Sequence, residues 1–240
     1  MRDSHQRIFE EVKKELAEDS SGHDPQHVKR VYNNAMSIAE QEGGDKDVIG
    51  AASLVHDLHR IIGGDFTHPA DSIYRVNEVL ERAGYEGDVH KVVYCVAVHE
   101  DYEFEEGVNE EYGVEAQIVQ DADNLDAIGA LGIGRTFKFG GAYGNPMWQP
   151  EIDGENQHSY HKENLDDSTV QHFYDKLLKL KDNMNTETAQ KQAKEQHEFM
   201  KEFLKRFKKS GREKTNPPNP HIPASHALFL LGSPVVLGCF

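Results

Sequence analysis

The adjacent pair His56-Asp57, in the phrase SLVHDLHR, sets an imidazole beside a carboxylate at the end of an apolar run. His56 follows Ala52 by four residues, so on a helix it borders the buried face rather than open water. His27 stands four residues before Val31, at the start of its own apolar periodicity, and Asp123 follows Val119 by four in IVQDADNLDAIGALGIGRTF. Each adjoins an apolar stripe. Helix faces that converge would bring His27, His56, Asp57 and Asp123 into one half-buried pocket. A lone carboxylate in such a place is costly. A divalent cation held by two imidazoles and two carboxylates removes that cost and brings Lewis acidity. An HD dipeptide alone is a weak signal, and a single histidine on a helix flank is more often a packing or surface residue. The ordered set of His, His-Asp and a helical Asp is far more specific.

A second tier surrounds this set. His99 falls on the Val92–Val96 face at a helix end, and His68 precedes Pro69 at a helix start, where backbone N–H groups favour anions. Either can orient phosphate, donate a proton or join a second metal site, and either can be a packing or surface residue. Arg135 and Lys179 are candidate phosphate contacts, with surface ion pairing as the rival role. His59 lies on the line of Ala52 and Val55 and either packs in the core or faces the site. His90 reads as a solvent residue. Asp121 and Asp126 read as residues that cap or hydrogen-bond within their own helix. His158 and His161 read as polar loop residues rather than ligands.

The elements that must position these residues are helical. Periodicity predicts helices over 5–18, from Asp24-Pro25 to about Gln41, from Asp45 through Val55, from Pro69 to near Gly84, over 87–100, over 114–128, over 167–183 and over 186–208. No strand pattern or internal repeat stands out. The stretch 139–166, rich in Gly, Asn, Pro and His, reads as a long loop of the kind that forms a lid. Its Tyr143, Trp148 and Tyr160 are candidate stacking partners for a base, or packing residues. Residues 1–209 form one domain. Residues 210–240 are a Pro-rich linker and an apolar tail, broken by Gly232 and Pro234 and too short for a membrane helix. That tail reads either as a non-native extension or as a short docking segment.

Composition narrows the function. With 37% hydrophobic and 28% charged residues the chain folds, and its net charge of −16 disfavours long DNA or RNA as a partner. A small anionic substrate stays open if a bound cation offsets the field. Cys95 reads as a small core residue. Two isolated cysteines and a charged N-terminus without a signal-like apolar core point to the cytoplasm, with no membrane partner.

GHDPQHVKRV, then LVHDLHR, then IVQDADNLDAIGALGIGRTF, together with FYDKLLKLKDNMNTETAQKQA, resemble the HD-domain superfamily of metal-dependent phosphohydrolases. The small stand-alone bacterial branch typified by YedJ and YpgQ is the most similar. The resemblance spans roughly residues 5–208. It implies an all-α, HD-domain helical bundle in which His27, His56, Asp57 and Asp123 match the metal ligands. It also implies a divalent cofactor, with Mn²⁺ or Mg²⁺ favoured, and a nucleotide as the small phosphorylated substrate. Several nucleotidases of the superfamily carry a Glu three residues after the HD Asp, where this chain has Arg60. The expected reaction is dNTP pyrophosphohydrolysis by a metal-bound water. In it Asp57, His99 and His68 serve catalysis, and Arg135 and Lys179 hold phosphate. A general phosphatase and a non-catalytic nucleotide-sensing module are the rival functions, and a homo-oligomer is compatible with all three.

Overall fold

A computed structural model describes residues 1–63, 67–101, 112–150, 154 and 168–211, and among them every regular element is helical. The helices are α1 (Asp3–Glu15), α2 (Pro25–Glu42), α3 (Lys46–Val55), the short α4 (Arg60–Gly63), α5 (Ile73–Arg82), α6 (Val89–Val98), α7 (Val114–Asp126), α8 (Gly129–Tyr143), the short α9 (Thr169–His172) and α10 (Glu187–Gly211). The all-α expectation holds.

Local chemistry starts these helices where the sequence indicates. The Asp24 carboxylate accepts from the N–H groups of Gln26 and His27, with Pro25 in the first turn, and so places His27 at the mouth of α2. Asp45 and Asp88 cap α3 and α6 in the same way. At the centre α2 packs against α3 and α7, and α3 and α7 both meet α6. Val28, Val31, Ala35, Ile49, Ala52, Val55, Val92, Val96, Ile118, Val119 and Ala122 fill the space between them. Helix α1 closes over α3, where a Cβ on Gly50 would lie 2.3 Å from the buried His5 ring, so only glycine permits the approach.

Three local outcomes depart from the periodicity. Residues 139–143 end α8 rather than begin a loop. Glycine depresses helix propensity in GALGIGRTFKFGGAY, but Phe137 packs against Phe173, Phe203 and Phe207 and holds the helix by tertiary contact. The span 167–183 divides into α9, a π-helical turn (Phe173–Leu177) and a 3-10 turn (Leu180–Asn183). The apolar run of α3 stops at Val55, and His56–His59 form a 3-10 turn. Tyr160, His158, His161 and the 212–240 tail lie outside the described residues. No helix among the described residues is long and apolar enough to cross a membrane.

Candidate metal centre

The 3-10 turn after α3 decides the shape of the site. With three residues per turn, side chains at i and i+3 eclipse. His59 therefore stacks under His56, and Arg60 under Asp57. His27 comes from the first turn of α2, Asp123 from α7 and His99 from the end of α6. His27, His56, His59 and His99 are fully buried, and Asp57 and Asp123 keep 1% and 8% exposure.

Four ligand atoms converge. His27 Nε2 lies 3.0 Å from Asp57 Oδ2, 3.4 Å from Asp123 Oδ1 and 3.3 Å from His56 Nε2. His56 Nε2 lies 3.4 Å from Asp57 Oδ2 and 3.8 Å from Asp123 Oδ1. Bonds of about 2.1 Å to a central cation put neighbouring ligands about 3.0 Å apart in octahedral and about 3.4 Å apart in tetrahedral geometry, so this spacing fits one divalent ion. The tautomers agree. His27 Nδ1 donates to Asp126 Oδ2 at 2.7 Å, and His56 Nδ1 donates to the Ser53 carbonyl at 2.9 Å. Each leaves Nε2 with a lone pair. His27 Nε2 and Asp57 Oδ2 thus face each other as two acceptors, and Asp57 Oδ2 receives no hydrogen bond among the described residues. A buried oxygen in that position calls for a positive charge.

The surrounding charges tell the same story. Burial works to lower His56, but the Asp57 and Asp123 carboxylates outweigh it and raise His56 to about 9, so a proton substitutes for the cation. Burial works to raise Asp57, and His56 and Arg60 overcome it to hold the carboxyl well below the usual range. Arg60 donates to Asp57 Oδ1 at 2.8 Å and to Glu100 Oε1 at 2.6 Å, which leaves Asp57 Oδ2 for the centre.

His99 and His59 adjoin the four. Their Nδ1 atoms donate to the carbonyls of Val96 and His56 at 2.7 and 3.1 Å, and both Nε2 atoms are buried without a hydrogen-bond partner among the described residues. With Asp57 they make a second group of potential ligand atoms within 4.8 Å of one another, and His56, His99 and Asp123 make a third. Burial pulls His99 down to about 4, so it is neutral. His59 is thus buried and also faces the site.

Other expected residues sit elsewhere. His68 caps the turn at Pro69 through Ala70 N–H, is 54% exposed and stands 3.6 Å from Asp101. Arg135 donates to the Gly22 carbonyl and to Asp126 Oδ2, both at 3.0 Å, so a phosphate would compete with those partners. Lys179 is half-buried between the π-helical and 3-10 turns. Trp148 packs edge-on against Phe207, while Tyr143 lies tilted against Phe139 and stays 41% exposed.

The expectation that Asp121 and Asp126 bond within their own helix is corrected. Asp121 accepts from Asn185 and Thr186 ahead of α10, and Asp126 accepts from His27, Arg30 and Arg135. Both face neighbouring elements, where buried donors outcompete local ones. Sequence reasoning passed over His23, which rests edge-on against His27, and Glu100, the anchor of Arg60. Their only signal was adjacency, to the start of α2 for His23 and to His99 for Glu100.

The sequence model of the HD domain matches residues 26–128, a span that contains all four converging residues. YpgQ of Bacillus subtilis (strain 168) is 37% identical over 189 residues, which cover 77% of this chain and 82% of YpgQ. The chain belongs to the HD-domain family. Solved structures agree. An HD-superfamily hydrolase from Bacillus thuringiensis is 35% identical, covers 86% of this chain and 95% of its own, and superposes with a TM-score of 0.62. B. subtilis YpgQ in complex with ADP is 31% identical by that superposition, with coverage of 86% and 94% and a TM-score of 0.59. HD-domain proteins bind divalent metals, and the buried His/Asp cluster of this member is able to hold one.

Proposed function

We propose that this HD protein is a metal-dependent phosphohydrolase that cleaves nucleoside triphosphates, the deoxy forms best, between the α and β phosphates. The observation that carries it is the buried Asp57 Oδ2, which faces the lone pair of His27 Nε2 at 3.0 Å. In this reading His27, His56, Asp57 and Asp123 hold the ion. The ion supplies Lewis acidity toward a phosphate oxygen and offsets the acidic field of the chain. Phosphoryl transfer needs mainly positioning and charge neutralisation. Asp126 and the Ser53 carbonyl keep the two imidazoles in the ligating tautomer. Arg60 keeps Asp57 to a single free oxygen. His99, neutral with its proton on Nδ1, offers an Nε2 lone pair beside His56 and Asp123 and would accept a proton from a water or join the metal ligands. His68, at the start of a helical turn, and Lys179 remain phosphate candidates from further out.

The ADP bound by YpgQ, a relative of the same fold, supports a nucleotide as the substrate class. The test is a panel of labelled nucleotides and phosphomonoesters with Mn²⁺ or Mg²⁺, with products separated by ion exchange. Monophosphate plus pyrophosphate is expected. Phosphate released stepwise would make the protein a general phosphatase. Nucleoside plus tripolyphosphate would move cleavage to the sugar–phosphate bond. A nucleotide bound tightly and never altered would make it a sensor.

A further inference from the structure

Beside the four converging ligands lies a second set of donors, and it contains a fixed cation. His59 Nε2 and His99 Nε2 are buried without a hydrogen-bond partner among the described residues, and each Nδ1 donates to a backbone carbonyl. These two lone-pair nitrogens and an Asp57 oxygen lie within 4.8 Å of one another. Glu100 Oε1 stands 3.7 Å from His59 Nε2. Two imidazoles and two carboxylates repeat the donor types of the first set, a composition suited to a divalent ion. Buried acceptors without partners are costly, so packing alone does not account for the two lone pairs.

Arg60 supplies the positive charge of this set. Its Nε donates to Asp57 Oδ1 at 2.8 Å and its Nη2 to Glu100 Oε1 at 2.6 Å, so one guanidinium spans both carboxylates. Both carboxylates are buried and the guanidinium is little exposed, so charge has to balance locally. Asp57, Asp123 and Glu100 bring three negative charges. One divalent ion and Arg60 bring three positive ones, and ligating imidazoles are neutral. The centre is therefore balanced with a single ion. A second divalent ion beside the guanidinium would leave two buried positive charges without a counterpart. With the guanidinium gone, the three carboxylates would exceed one ion by one negative charge, and that surplus draws a second ion toward His59 and His99.

We propose that Arg60 stands in for a second metal ion: its guanidinium holds the centre to one divalent cation and masks a latent site made by Asp57, His59, His99 and Glu100. The proposal rests on the ligand set of the phosphohydrolase reading and not on the substrate. Because a guanidinium stays charged at any working pH, the count of one should hold across the pH range in which metal binds. Full-length protein is stripped of metal and reloaded with Mn²⁺, bound ions are counted by equilibrium dialysis, and their coupling is read by electron paramagnetic resonance. Wild type should bind one Mn²⁺ with the spectrum of an isolated ion. Arg60→Met removes the charge and keeps an unbranched stem, so it should bind two, with an exchange-coupled spectrum from ions that share Asp57. Arg60→Lys keeps the charge and should stay at one. Combining Arg60→Met with His59→Phe should restore the count of one. A check that needs no variant uses ¹H–¹⁵N spectra of wild type with and without Zn²⁺: His56 Nε2 should move on loading and His59 Nε2 should not. Two ions in wild type, or a ligation shift at His59, would overturn the proposal. So would an Arg60→Met protein that is helical by circular dichroism, keeps the first ion and takes no second. Wild type that binds no ion would overturn the ligand assignment and the proposal together, whereas one bound ion without nucleotide hydrolysis would sink the functional reading alone.

Discussion

Replacing Asp126 by Asn removes one charge from a group that touches no substrate, so its effect isolates the support behind His27. The Asp126 carboxylate is 4% exposed as a residue and accepts four hydrogen bonds: from His27 Nδ1 at 2.7 Å, from Arg30 at 2.6 and 3.0 Å, and from Arg135 at 3.0 Å. Burial alone would raise this carboxyl, and the bonds from His27 and Arg30 hold it well below the usual carboxylate range. An amide keeps one acceptor oxygen and turns an NH2 toward donors. Breaking a fully buried pair costs about 3–5 kcal/mol. Arg30 and Arg135 keep 31% and 16% side-chain exposure, so solvent recovers part of that. A loss of about 2 kcal/mol is therefore expected in the metal-free protein, measured by urea unfolding. His27 also loses its fixed tautomer, which should weaken metal binding by about 10–100-fold. Competitive metal titration measures that term. Asp121→Asn is the control, since Asp121 faces Asn185 and Thr186 rather than a ligating histidine. It should lose stability and keep its metal affinity. Equal metal affinity in Asp126→Asn and wild type would refute the reasoning and reduce Asp126 to a structural ion pair.

Other outcomes follow from the same geometry. His56→Ala, Asp57→Ala and Asp123→Ala should each lose most bound metal and most turnover, and full occupancy by plasma emission in all three would sink the ligand assignment. Because His56 stands near 9 without metal, the ion must displace a proton below that pH, and its affinity should fall about tenfold per pH unit toward acid. Affinities that stay flat between pH 6 and pH 8 would contradict this. The same raised pKa gives metal-free protein a stabilising contribution that is fully present below its unfolded value of 6.5 and is lost as pH rises through about 9. Urea midpoints of metal-free protein should therefore drop across that window. Gly50→Ala should destabilise by about 1–3 kcal/mol, since His5 is held by Tyr32 and by the Asp47 carbonyl and cannot retreat from the new methyl. An unchanged melting temperature would show that α1 shifts freely.

Much of the site was legible because ligands and helix starts are local statements. His56-Asp57 bordered an apolar face, Asp24-Pro25 announced the helix that carries His27, and Asp123 sat beside Val119. Side-chain partners were less legible. Asp121 and Asp126 have the composition of residues that cap their own helix, yet Asp126 finds His27, which is 99 positions away in the chain. Helix α8 was hidden in part because its glycines lower local propensity while its Phe137 is secured by α10 and the π-helical turn.

The order His, His-Asp, Asp and the apolar stripes beside them are properties of the sequence by itself, since a helical period of 3.6 residues converts spacing into facing. Tertiary structure decided what surrounds the four ligands. The switch from α to 3-10 geometry at His56 brings His59 under His56 and Arg60 under Asp57, and nothing in the local period announces that switch. The packing of α6 and α7 against α3 delivers His99 and Glu100, and the turn at Gly22 delivers His23. Tautomers were decided there as well, because the proton position on each imidazole depends on the acceptor that folding places against its other nitrogen.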